Sequence, residues 1–121
     1  MLGKNVIHLS LAIPMLCWTA PLYAGINLEK YESMKGTDLL KIYISGVGEG
    51  YSWANAHLES NLRKQSPLYC EPPKISLNVH NYVQILDNYI SKPEAKAWTN
   101  PESPLAVILL FALQDAFPCK Q

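Results

Sequence analysis

The chain carries no excess of charge: ten Lys and Arg stand against ten Asp and Glu. No Lys/Arg run occurs, so the basic footprint of a nucleic-acid partner is missing. Sustained polar–apolar alternation is absent as well, which argues against a sheet. Beyond residue 24, no apolar run approaches the roughly 20 residues that span a bilayer. Histidine is scarce: past residue 24 there are only His57 and His80. Neither has a His-x-x-x-His or carboxylate companion at ligand spacing, so no metal site is expected. Ser52 and His57 lie five residues apart, whereas three or four would bring helical side chains together. No nucleophile–base pair is therefore visible, and the reading is of a protein without catalytic residues, metal or cofactor.

Cysteine is scarce too, and this scarcity is informative. Of the three cysteines, Cys17 falls inside a segment with the parts of a secretory signal. Lys4 supplies the positive end, residues 6–16 the apolar run, and residues 21–24 a cleavage region ending on Ala24. Residues 1–24 are thus read as an export signal, cleaved after Ala24 in preference to Ala20. The apolar run is too short for a transmembrane anchor. Leu16 before Cys17 argues against a lipoprotein signal. The remaining pair, Cys70 and Cys119, predicts a disulfide and hence an oxidising compartment outside the cytoplasm. Residues 25–121 then form one small domain, about one unit negative because Lys4 leaves with the signal. A bond between Cys70 and Cys119 would close a loop of about 50 residues, worth roughly 4 kcal/mol in the chain-entropy model.

The apolar spacing predicts helices. Leu28, Tyr31 and Met34 fall three apart before Gly36, suggesting a short helix that the glycine ends. Thr37 then caps a long helix with Asp38 in its first turn. Its stripe runs through Leu40, Ile44, Val47, Tyr51, Ala54, Leu58 and Leu62, about six turns. Residues 63–77 form a loop, because Pro67, Pro72 and Pro73 prevent regular structure. Ser76 or Asn78 caps the next helix, which buries Val79, Tyr82, Val83, Leu86, Tyr89 and Ile90 and stops at Pro93. Residues 94–98 have room for a turn or two. Ser103 as cap and Pro104 as first helical residue open a last helix over residues 105–117. That helix is apolar almost all round, so its neighbours should wrap it. The expected fold is all-α: a small disulfide-stapled bundle of three main helices plus short ones.

Gly46-Val47-Gly48-Glu49-Gly50 superficially suggests a phosphate loop. It lacks the spacing, the preceding strand and the Lys-Ser/Thr that such a loop needs. Gly46 and Gly50, one turn apart, instead suggest close helix packing, either within the monomer or in a homodimer. Some such contact should offset a propensity cost of up to roughly 1 kcal/mol per glycine. Trp53 lies beside the main stripe and is expected in the core or at the bundle edge. Trp98 is either an anchor for the connection spanning residues 92–103 or an exposed binding hot spot.

Four motifs occur in order. They are Tyr43-Ile44-x-Gly46-Val47, Cys70-x-Pro72, Val83 with Tyr89-Ile90 and Pro93, and Ala112-Leu113-x-x-Ala116-Phe117-Pro118-Cys119. Together, behind an export signal, they resemble the Rap/Tai family of immunity proteins, which protect bacteria from peptidoglycan amidase effectors delivered by type VI secretion. The resemblance covers about residues 37–119. It implies a periplasmic helical protein, often dimeric, that binds a cognate amidase and occludes its cleft. The family's recurrent cysteine pair would correspond to Cys70 and Cys119. Many relatives carry a further cysteine before the Tyr-Ile-x-Gly stretch, which residues 25–121 lack. The expected encounter surface is residues 92–103, with Lys96, Trp98, Asn100 and Glu102 meeting the partner. The alternative is a general periplasmic helical binding or chaperone-like protein without a toxin partner.

Overall fold

The computed structural model describes residues 25–120. The export signal, with Cys17 and its cleavage site, lies outside the described residues. Five helices follow in order: α1 (Leu28–Met34), α2 (Asp38–Glu59), α3 (Val79–Ile90), α4 (Pro93–Trp98) and α5 (Leu105–Ala116). The fold is all-α; among the described residues the only extended pairing is an isolated antiparallel bridge between Asn27 and Pro104.

Helices α1, α2, α3 and α5 begin where a side chain or a neighbouring carbonyl satisfies a free amide, whereas α4 begins on Pro93, which has no amide to satisfy. Asn27 Oδ1 accepts from Lys30 N at the start of α1. Two more of this helix's amides, Leu28 N and Glu29 N, donate to the carbonyls of Ser103 and Pro101. Gly36, at φ 84°, supplies the left-handed residue that turns the chain out of α1. Thr37 Oγ1 accepts from Leu40 N at the head of α2. At α3 the cap is Asn78 rather than Ser76. Its carboxamide oxygen accepts from His80 N and Asn81 N, and Asn81 returns the bond from Asn78 N. This reciprocal arrangement satisfies amides on both sides of the cap.

The core forms where α5 meets α3 and α2. Leu105, Ile108, Leu109, Ala112 and Leu113 are buried on α5. They face Tyr82, Leu86 and Tyr89 of α3 and Leu40 and Ile44 of α2, and Tyr31 of α1 and Ala95 of α4 complete the cluster. Tyr51 on α2 donates its hydroxyl hydrogen to Ala106 O at 2.8 Å, pinning α2 to the start of α5. At the other end, Tyr31 donates to Asp87 at 2.5 Å, and Lys35 bridges Asp87 and Glu32 at 3.2 Å each.

Several expectations need correction. Within the monomer, the close helix approach falls on Gly48, not on Gly46 or Gly50. A Cβ at Gly48 would stand 2.5 Å from Tyr82 Cζ, while Cβ atoms at the other two would meet nothing within 4 Å. Helix α2 ends at Glu59, so Leu62 leaves the stripe and is 92% exposed. Trp53 is 75% exposed rather than core. Ser103 does not cap α5: its Oγ accepts from Asn100 N, and Pro104 occupies the cap position. Nor is α5 wrapped on every side, because Val107 and Phe111 are exposed.

The glycines therefore predict opposite signs. Gly48→Ala should destabilise by about 1–3 kcal/mol, since the Tyr82 ring must move. Gly46→Ala and Gly50→Ala should each stabilise by up to about 1 kcal/mol through helix propensity. Urea unfolding midpoints would separate the two classes.

Alkaline pH should weaken the fold. Burial, foremost, raises the pKa of Tyr31, Tyr51, Tyr69 and Tyr82, and Asp87 raises Tyr31 further. Burial alone would lower the Lys35 pKa, but hydrogen bonds to Glu32 and Asp87 outweigh it and raise it. Folded pKa values above the unfolded ones mean stability is fully present below about pH 10 and lost above it, where the unfolded chain releases protons first. Thermal midpoints should hold up to about pH 9 and fall beyond pH 10. Tyrosine ionisation, followed by ultraviolet absorbance, should coincide with unfolding for these four rings.

Candidate functional site

The loop between α2 and α3 contains three prolines and little regular structure, yet its central part is fixed. Cys70 and Cys119 form a disulfide with Cα atoms 4.9 Å apart, and Cys70 N donates to Phe117 O at 2.8 Å. Asn55, buried on α2, takes both sides of the loop backbone. Its Oδ1 accepts from Leu68 N at 2.6 Å and its Nδ2 donates to Tyr69 O at 3.0 Å. Gln114 of α5 donates to Leu68 O. Residues 68–70 are thus clamped from α2, from α5 and by the covalent bond. The ring of Tyr69 turns inward with 1% exposure and packs against Phe117.

This clamped loop forms one wall of a groove of about 830 Å³, with α2 as the other. Glu49, Trp53 and Glu59 come from α2, Glu71 comes from the loop, and Tyr69 and Tyr82 belong to the lining. No Lys, Arg or His lines it. A second hollow, of about 400 Å³, lies where α1 meets α2 and α3. Its Tyr31, Lys35 and Asp87 are already bonded to one another, so their role is structural. Among the described residues no group of three or more His, Cys, Asp or Glu could hold a metal ion.

The four residues expected to meet a partner do not act as one patch. Trp98 is 40% exposed and is both anchor and surface. Its Nε1 donates to Tyr89 Oη at 3.1 Å, and its ring stands edge-on to Phe111 at 5.1 Å. Phe111 is itself 44% exposed, so Trp98, Phe111 and the neighbouring Val107 put apolar surface in contact with solvent. Lys96 sits two residues before Trp98 on α4 and so points away from it. Asn100 Oδ1 accepts from Glu102 N, and Glu102 accepts from Asn27 Nδ2. Those two side chains hold the α4–α5 connection in shape.

Phe111 and Val107 were missed because an all-apolar helix has no periodicity to mark its outer face. Trp53, Glu49 and Glu71 were missed for a different reason. They meet only across the folded loop, and no local spacing announces them.

The class these features define is a small, disulfide-crosslinked helical bundle with an aromatic ridge and an acidic groove. None of its helices is long and apolar enough to cross a membrane, among the described residues. No protein-family model, curated protein or solved structure matches the chain.

The disulfide's contribution can be measured. Cys119→Ser should cost about 4 kcal/mol in the entropic account of a loop this long. Limited proteolysis should then cut first within residues 63–77, because the covalent part of the clamp is gone. A variant as stable and as resistant as the parent would show that Asn55 and Gln114 suffice.

Proposed function

We propose that this is a periplasmic immunity protein that binds a peptidoglycan amidase delivered by type VI secretion and blocks its cleft. The observation that carries this reading is where the resemblance motifs lie in the fold. Ile44, Tyr89, Ala112 and Leu113 are core residues, and Cys70 and Cys119 are the crosslinked pair. Motif positions scattered over about 75 residues thus serve one scaffold. A crosslinked scaffold suits an oxidising compartment, in keeping with the export signal read from residues 1–24.

The proposed contact is centred on Trp98 and Phe111. Exposed aromatic side chains backed by a rigid helix are typical binding hot spots, since little side-chain entropy is lost on docking. A second copy of the chain is also proposed as a partner, through the outer face of α2. Leu39, Ile42, Gly46 and Gly50 fall on one side of that helix, opposite Ile44 and Gly48, and all four are exposed. The two open glycines would let another backbone approach closely.

Co-expression with a cell-wall amidase encoded beside it, where one is found, should yield a stoichiometric complex without hydrolytic activity. Trp98→Ala should weaken that complex roughly tenfold or more. Absence of a complex, with no protection of cells exposed to the amidase in the periplasm, would overturn the reading.

A further inference from the structure

We propose that the groove between α2 and residues 69–77 is a docking cleft for an arginine- or lysine-bearing segment of a protein partner. The inference stands whether or not that partner is an amidase.

Three observations lead here independently of the aromatic ridge. First, the lining is acidic without compensation. Glu49, Glu59 and Glu71 contribute three carboxylates and no cation opposes them. The ion pairs among the described residues engage Glu32, Asp38, Asp87 and Asp115, and none reaches the groove. Carboxylates gathered without a counter-charge repel one another and gain when a cation enters.

Second, the groove lining contains an unanswered polar group. The Tyr69 hydroxyl is buried and has no hydrogen-bond partner. Leaving a buried hydroxyl unpaired costs free energy that a ligand atom can recover. Tyr69 belongs to the lining, and burial, with the nearby Tyr82 and Glu71, raises its pKa, so the hydroxyl stays protonated. Tyr82 feels Glu71 from the loop and Glu49 from α2, which places its phenol near both carboxylates.

Third, Trp53 belongs to the lining and is 75% exposed. An indole with its face free attracts a guanidinium or ammonium group, and a planar guanidinium can also stack on it. Carboxylates on two walls and an exposed indole form a set that suits a guanidinium, whose forked donors match carboxylate oxygens and whose plane matches the ring. The opening is set by the clamp on residues 68–70, so little ordering entropy is lost when a chain segment enters.

The test uses the oxidised protein recovered from periplasmic expression. It is titrated by amide and indole NMR with the peptide acetyl-Gly-Arg-Gly-Arg-Gly-amide at low salt. Saturable shifts are expected at Glu49, Ser52, the Trp53 indole and Glu71, weakening as salt is raised. The same peptide with citrulline in place of arginine should produce none. Glu49→Gln/Glu71→Gln should bind the arginine peptide roughly tenfold or more weakly. Trp53→Ala should also weaken it, whereas Glu94→Gln on α4 should leave it unchanged. Shifts scattered over all surface carboxylates, or full binding by the double variant, would overturn the proposal. Tighter saturation of the groove by free spermidine than by the peptide would overturn the choice of a protein segment as occupant. If the amidase fails to bind but the peptide docks as described, only the immunity reading falls.

Discussion

The burial of α5 against α3 is the contact on which the rest of the structure depends. Five apolar side chains of α5 leave water there, contributing on the order of 1.5–3 kcal/mol for each fully buried large one. The remaining elements are arranged around this pairing. Helix α2 lies across it through Ile44, with Gly48 letting the Tyr82 ring sit almost on its backbone. Helix α1 is fastened by carbonyls from the segment leading into α5. Even the groove depends on α5, because Gln114 and Phe117 hold the loop that makes its wall.

The Cys70–Cys119 bond sits just outside this core and acts on the loop more than on the helices. Both cysteines are exposed, and the bond ties the last residues of the chain to a proline-rich stretch that has no helix to stabilise it. Asn55 completes the arrangement from the opposite side. A buried carboxamide that both donates and accepts at adjacent backbone positions fixes a loop as a strand partner would. The molecule thus presents two different surfaces. The ridge at Trp98 and Phe111 is apolar and backed by helix, whereas the groove is acidic and bounded by loop. The first suits hydrophobic contact and the second suits a cation.

Much of the architecture was legible in the chain. The Thr37 cap, the proline-rich loop and the cysteine pairing follow from residue chemistry, whereas Pro93, expected to stop α3, instead opens α4 after α3 has ended at Ile90. The face of α3 was read correctly at its centre, where Tyr82, Leu86 and Tyr89 are buried with Val83 and Ile90 partly covered beside them, while Val79 stands outside the core. Errors arose where packing overrode local pattern. Three glycines at alternate positions offer no way to see which one meets an aromatic ring, and only the placement of Tyr82 selects Gly48. Ser103 has the chemistry of a cap, yet its hydroxyl serves the preceding turn, and Pro104 takes the position. Trp53 has every reason to be buried except a place in the core, since Asn55, two residues on, turns inward to hold the loop.

The sequence by itself determined the helices, their order, the all-α class and the covalent link, because each depends on residues near in the chain or on the pairing of scarce cysteines. Tertiary structure alone decided which faces remained in water. Whether Phe111 and Trp53 are covered, and whether Glu49 and Glu71 share a groove, depends on elements tens of residues away. Local spacing says which side chains share a helix face; only the packed neighbours determine whether that face is shielded or left open to a partner.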